Sequence, residues 1–415
     1  MANDKEFGRF FNLERLISTV PGKILVIQGP RGAGKTRTLR KIVRELRLDC
    51  HWDSGDSFRL QQLFRDPEAA KILQYIQSRE WLVVEEAQKI PNLREGLEII
   101  RRHKLKLKII LSSSWRLDLA TAPKGEEERR TFGQNFWQVD QQLGSEEDPW
   151  EEQKTIIDLL PLSQAELNQK YTRFQLRELL PWFLIFGTYP QVIRAANKPQ
   201  IEEFLGELVF SQLLPEVVIQ GRVKKPEKLL QLSKQVAFRI GEELSLNELS
   251  ELVGVDVKTI DRYLELLEKA LIIKKISPFS RNLKREIDFK AKYYFYDTGV
   301  RNALISQFNE LENRNDGAAL WENFLVMERI KMFEINQKNA SFYFWRTYDG
   351  QRVNWIEETK ERLRGGESKG ELRGYQFQWK QTNRKRSKAP QDWLRTYPVT
   401  NLEIIRPSNY LDFLI

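Results

Sequence analysis

Residues 29–36 read Gly29-Pro30-Arg31-Gly32-Ala33-Gly34-Lys35-Thr36 and follow the apolar run Ile24-Leu25-Val26-Ile27. That run reads as a buried strand, and Leu39, Ile42 and Val43 beyond the loop recur at helical spacing. Strand, G-x-x-x-x-G-K-[ST] loop and helix in this order restrict the chain to folds that cradle a phosphate chain where a helix begins. Glycines keep Cβ atoms clear of the wrapped anion, while successive N–H groups and the helix N-terminus point at it. On this reading Lys35 reaches the β- and γ-phosphates, the Thr36 hydroxyl takes a Mg²⁺ position, and Arg37 lies beside them in the first helical turn. The plainer alternative is a glycine turn ahead of a helix, and the flanking strand and helix argue against it. ATP or GTP with Mg²⁺ is the expected ligand.

The second element of such a site is an apolar strand that ends in acid. Glu80-Trp81-Leu82-Val83-Val84-Glu85-Glu86 supplies it about fifty residues past the loop. In a parallel sheet the carboxyl end of that strand shares an edge with the phosphate loop. Glu85 then serves Mg²⁺, one methylene longer than the usual aspartate, and Glu86 polarises the attacking water. Two exposed glutamates after a strand are the competing reading. A third strand, Leu105 to Leu111, runs into Ser112-Ser113-Ser114.

A chain of 415 residues is too long for one core and implies two or three domains. Its 41% hydrophobic and 30% charged residues fit a folded, soluble chain. The apolar stretch Leu179 to Phe186 is interrupted by Pro181 and is too short to span a membrane. The N-terminus lacks the pattern of a secretion signal. Cys50 alone cannot form an internal disulfide, and two histidines leave little for a zinc or serine-hydrolase centre. A cytoplasmic location without membrane contact is expected. The net charge of +9 permits polyanion binding without demanding it, because its sign varies along the chain. Glu126 to Glu128 and Glu146 to Glu152 are acidic; Lys224-Lys225, Lys274-Lys275, Lys284-Arg285 and Arg384 to Lys388 are basic.

Residues 226–276 read as a helix-turn-helix with a wing. Ser245 caps a short helix with Leu246, Leu249 and Leu252 inward, Gly254 breaks it, and Asp256 caps the next, with Ile260, Leu264 and Leu267 inward. The outward face of the second helix carries Lys258, Thr259 and Arg262, but also Asp261 and Glu265, which repel phosphate. Double-stranded DNA is one partner for such a unit; a lid or a protein-docking module is the other reading.

Gly29 to Thr36, Glu85-Glu86-Ala87-Gln88-Lys89-Ile90-Pro91, Ile110-Leu111-Ser112-Ser113-Ser114 and Leu160-Pro161-Leu162-Ser163 together resemble a family of prokaryotic AAA-type P-loop ATPases. Gly187-Thr188-Tyr189-Pro190 and Tyr294-Phe295-Tyr296-Asp297-Thr298-Gly299 resemble the C-terminal domain of unknown function that accompanies that ATPase. The resemblance implies ATP in preference to GTP, and a γ-phosphate contact from Ser112 or Ser113. It also implies an arginine shortly before Leu160, where Gln153-Lys154 stands instead; Arg116, Arg129 and Arg130 are substitutes that the sequence does not place. An absent arginine slows hydrolysis more than it weakens binding.

The C-terminal strands resemble the restriction-endonuclease-like end of the same family, in which two acids and a lysine form the cutting site. Here the acids are Asn354 and Gln378, with Lys380 retained, and Glu357 or Glu358 is the nearest substitute acid. Amides do not replace two anionic ligands of a hard divalent cation. Trp345, Arg346, Trp379 and the basic run still offer aromatic and cationic groups to nucleic acid, with core packing as the alternative.

The expected architecture is an α/β P-loop ATPase domain over residues 1–165, a parallel sheet with helices on both faces. A helical region with a winged helix-turn-helix follows over 166–305, then an α+β nuclease-like domain over 306–415 that lacks the expected acids. The expected function is Mg-ATP binding and hydrolysis that switches a C-terminal DNA- or protein-binding region. The alternative is a nucleotide-gated scaffold with negligible turnover, and nuclease activity is not expected. Oligomeric state is left open.

Overall fold

The structure is a computed structural model that describes residues 9, 24–76, 79–103, 107–117, 119, 154–279, 290–336, 338–347, 350–362, 368–379, 390–397 and 402–415. The chain divides into two compact units. The smaller comprises residues 12–29 and 34–159; the larger comprises residues 1–11, 30–33 and 160–415.

In the smaller unit β1 (Ile24–Gln28), β2 (Cys50–Ser54), β3 (Trp81–Glu85), β4 (Lys108–Ser113) and β5 (Lys154–Asp158) form a parallel sheet in the order β2-β3-β4-β1-β5. Alternate residues of β1 face opposite sides, yet Ile24, Leu25, Val26 and Ile27 are all buried, so both faces of the strand are covered. The helices are α1 (Lys35–Glu45), α2 (Phe58–Arg65), α3 (Ala69–Ile76) and α4 (Leu93–Arg102). Leu60, Phe64, Ile72, Leu97 and Ile100 from the last three of these join Val26, Val84 and Leu111 in one core. Burial of such side chains stabilises by roughly 1.5–3 kcal/mol each. The chain runs from β1 toward β2 on one side and from β4 toward β5 on the other, so the connections after the adjacent strands β1 and β4 go in opposite directions at the carboxyl edge.

The larger unit contains α5 (Pro226–Phe238), β6 (Glu243–Leu244), α6 (Leu246–Val253), α7 (Val257–Lys269), β7 (Ile273–Pro278), β8 (Ala291–Phe295) and α8 (Thr298–Leu304). It continues through α9 (Gly317–Ile335), β9 (Ala340–Arg346), β10 (Arg352–Arg362), β11 (Ser368–Phe377), α10 (Gln391–Thr396), β12 (Leu402–Ile405) and α11 (Tyr410–Leu414). Its strands make one mixed sheet in the order β12-β11-β10-β9-β7-β8-β6. Helix α9 is apolar nearly all round, and Leu320, Trp321, Phe324 and Leu325 pack with Leu180, Phe183, Tyr294, Trp355 and Tyr410.

Residues 160–415 thus form one unit where the sequence suggests two domains meeting near residue 305. The reason is sheet pairing: Ser277 and Pro278 of β7 align with Tyr343 and Phe344 of β9, which ties the strands on either side of that boundary together. Two local expectations also change. Ser245 occupies the cap position of α6 but its side chain makes no capping bond, and Val253 rather than Leu252 faces inward. Asp256 does cap α7, accepting from the Thr259 N–H at 2.9 Å. Among the described residues no helix is long and apolar enough to cross a membrane.

Two motifs far apart in sequence meet inside this unit. The buried Asp297 carboxylate accepts from the Thr188 N–H at 2.7 Å and from the Val300 N–H at 3.2 Å, capping α8. Gly187 has φ +74°, and a Cβ there would overlap that carboxylate. Burial pushes the Asp297 carboxyl up to about 6 despite these N–H donors and nearby Lys331. An acid raised on folding holds its proton longer in the native state, so native stability falls as pH rises between the unfolded value of 3.8 and about 6. Asp297→Asn removes this term. Urea unfolding of the two proteins across that window should show the wild type losing about 3 kcal/mol relative to the variant; parallel curves would refute the assignment.

Candidate functional site

The parallel register brings the strand ends to one edge: Gln28 stands beside Ser113 and Asp158, and Ser54 beside Glu85. Gly34 caps α1 with φ 101°, a left-handed conformation open to glycine, and a Cβ on Gly29 would overlap the Leu159 carbonyl. Lys35 is buried and donates to the Gly29 carbonyl at 2.7 Å, so it is folded over the loop. The Thr38 N–H donates to the Gly34 carbonyl at 3.0 Å, which starts α1 directly after the loop. Arg37 is exposed on the same turn. Pro30–Ala33 group with the larger unit, where Arg31 Nε donates to Glu216 Oε2 at 2.6 Å and Gly32 lies near Tyr189 and Leu208.

The Thr36 hydroxyl donates to Glu85 Oε2 at 3.0 Å, which joins the start of α1 to the end of β3. A hydroxyl and a carboxylate at this distance form a hard oxygen donor pair suited to Mg²⁺. That cation keeps several waters and takes substrate phosphates, so it does not need a cage of protein acids. Among the described residues no group of three or more His, Cys, Asp or Glu side chains forms such a cage.

Glu86 follows with φ 51°, a conformation uncommon for a residue with a side chain, and opens a short 3-10 turn over Ala87–Lys89. This backbone directs Glu86 away from Glu85 and into a polar cluster. Gln88 Nε2 donates to Glu86 Oε2 at 2.8 Å and lies 2.6 Å from Ser114 Oγ, and the Ser114 hydroxyl donates to Glu86 Oε2 at 3.3 Å.

The three serines have different surroundings. The Ser113 hydroxyl donates to the Trp115 carbonyl and accepts from the Trp115 N–H at 3.0 Å, closing the local turn. Ser112 is buried in β4. Ser114 is the serine joined to the acid, and strand register rather than any local sequence signal decides this. Arg116 Nη2 donates to Asp158 Oδ2 at 2.9 Å, and Gln28 Nε2 donates to Asp158 Oδ1 at 2.7 Å. Arg129, Arg130, the acidic segment before Lys154, Gln153, Lys284, Arg285, Lys380 and the run from Arg384 to Lys388 lie outside the described residues.

In the larger unit Asn354 donates to Glu322 Oε2 at 2.6 Å. Glu322 comes from α9 and also accepts from Lys292 at 2.8 Å and from Tyr294 at 2.7 Å. Burial by itself would raise the Glu322 carboxyl, but Lys292 and these hydrogen bonds hold it below the usual glutamate range. Glu357 is buried against Arg329, and Gln378 accepts from Arg406 at 3.1 Å. Trp345 packs edge-on to Trp393, and Trp379 packs against Trp321.

Residues 21–136 match the family model described as AAA domain, and residues 177–311 match one described as Domain of unknown function (DUF8612). The first match implies ATP binding and hydrolysis. An uncharacterized protein of Mycobacterium tuberculosis is 23% identical over 362 residues, 86% of this chain and 72% of the relative. One from Methanocaldococcus jannaschii is 22% identical over 356 residues, 82% of this chain and 74% of the relative. The Thermotoga maritima RuvB Holliday junction branch migration motor aligns at 16% identity over 65% of this chain and 88% of that chain. Its TM-score is 0.25.

The Glu86 cluster makes a prediction that separates neighbouring serines. Ser114→Ala should lower kcat for ATP roughly tenfold with affinity for ATP kept, because it removes a hydroxyl bonded to Glu86 and leaves the phosphate loop intact. Ser113→Ala should change kcat much less. Steady-state phosphate release beside calorimetric ATP titration reads both, and equal effects from the two serines would discard the assignment.

Proposed function

We propose that the chain is a Mg²⁺-dependent ATPase whose nucleotide state switches a DNA- or protein-binding region in its C-terminal part. The observation that carries it is the Thr36–Glu85 contact, with Glu86 turned aside and held by Gln88 and Ser114. The loop N–H groups and Lys35 bind the phosphates, Lys35 exchanging the Gly29 carbonyl for phosphate oxygens. Thr36 and Glu85 would hold Mg²⁺, which neutralises charge on the β- and γ-phosphates when bound. Glu86 orients a water and takes its proton as the water oxygen bonds to the γ-phosphorus and the bond from that phosphorus to the β–γ bridging oxygen breaks, which releases ADP and phosphate. A single cysteine fits a reducing, cytoplasmic compartment.

The segment α5-β6-α6-α7-β7-β8 has the element order of a winged helix, with β8 paired antiparallel to both β6 and β7. Its second helix favours a protein partner over DNA. Arg262 is engaged with the Gly221 carbonyl, and Asp261 and Glu265 lie on the same helix, where acids repel phosphate. Cutting of nucleic acid is not proposed, because Asn354 and Gln378 are committed to Glu322 and Arg406 and offer no anionic ligand pair.

A second reading, nucleotide-gated binding with negligible turnover, rests on Arg116. That side chain is paired with Asp158 rather than presented to a phosphate, and Glu85 stands in the usual place of aspartate. Lys35→Ala should abolish ATP binding, whereas Glu86→Gln should keep binding and lose at least about 10²-fold in turnover. Calorimetry and phosphate release measure the two. Wild-type binding without turnover selects the second reading, and unchanged rates in both variants reject the site.

A further inference from the structure

A cavity of about 420 Å³ opens in the larger unit, where the β9–β10 hairpin approaches the β6–β8 pair. Glu243, Lys290, Lys292, Arg346, Arg352 and Asn354 line it. Arg346 and Arg352 are directly opposed in the antiparallel register, so their side chains leave the same face of the sheet. Like charges so placed repel, and a hairpin keeps them together only against that cost.

The acids around the cavity leave a positive surplus. Glu243 is paired with Arg346 at 3.0 Å and Lys292 with Glu322 at 2.8 Å, while Glu242 is paired with Arg239 at 3.2 Å. Arg352 and Lys290 are both exposed, and among the described residues neither makes an ion pair with an acid. Two exposed cations, Arg352 and Lys290, therefore face one opening of small-molecule size, with Glu243 and Glu248 near enough to Lys290 to interact with it through space.

We propose that this cavity is a binding site for a phosphate monoester, with Arg352 and Lys290 as its principal anchors and Arg346 as a shared one. A monoester carries about −1.5 to −2 charges near neutral pH, and a guanidinium fork binds two of its oxygens at once. Asn354 is held by Glu322 at the cavity wall and adds no negative charge to repel the ligand. The same chemistry is offered by the 5′-phosphate end of a nucleic-acid strand and by a free phosphorylated small molecule. The site is independent of the phosphate loop and does not rest on the ATPase reading.

The test uses the full chain carrying Lys35→Ala, so that binding at the phosphate loop does not contribute. Fluorescence anisotropy compares a 3′-labelled oligothymidylate with and without a 5′-phosphate, and calorimetry measures thymidine 5′-monophosphate alone. The expected result is tighter binding of the phosphorylated strand by about tenfold, lost on adding either Arg352→Gln or Lys290→Gln. Monophosphate binding that the same substitutions abolish, with no gain for the phosphorylated strand, supports the site and assigns it to a free small molecule. The proposal is overturned when neither probe shows a phosphate-dependent signal, or when that signal survives both substitutions. Two exposed positions in separate elements, each with an unchanged melting temperature, guard against a folding artefact.

Discussion

The parallel register of five strands is the constraint on which the nucleotide-binding unit depends. It places the carboxyl ends of β1, β3, β4 and β5 at one edge, so residues from distant parts of the chain meet there. The loop after β1, the acids after β3 and the serines of β4 need no long side chains to reach one another. Hydrophobic burial on both faces holds that register, because a parallel strand moved by one residue would turn its apolar side chains to new neighbours. Polar chemistry at the edge is thus supported by apolar packing beneath it.

The acids at that edge have different surroundings. Glu85 continues β3 and meets the Thr36 hydroxyl, whereas Glu86 enters a left-handed conformation and meets Gln88 and Ser114. A change of backbone direction between adjacent residues gives the two carboxylates different partners. Side-chain length alone would not achieve this.

The larger unit manages its charges by burial and pairing. Asp297 is enclosed by backbone N–H groups beside a glycine that leaves room for it, and Glu322 is neutralised by Lys292. The second arrangement puts an internal ammonium on an acid next to Asn354. The cavity beyond is lined by Lys290, Arg346 and Arg352 together with Glu242 and Glu243.

Much of the smaller unit was legible in the sequence, for a physical reason. Buried parallel strands demand continuous apolar runs, and a phosphate loop demands glycine at fixed positions, so β1, β3, Gly29, Gly34, Lys35 and Thr36 show themselves locally. The caps of α6 and α7 illustrate the limit: Asp256 and Ser245 are both plausible caps, and only Asp256 bonds. The sequence by itself determined the loop, the acidic strand end and the replacement of two acids by Asn354 and Gln378. Tertiary structure alone decided that Ser114 holds Glu86, that Gly187 makes room for Asp297, that one sheet runs across residue 305, and that Arg346 faces Arg352. Those facts depend on register and close approach between residues far apart in the chain, which no local pattern encodes.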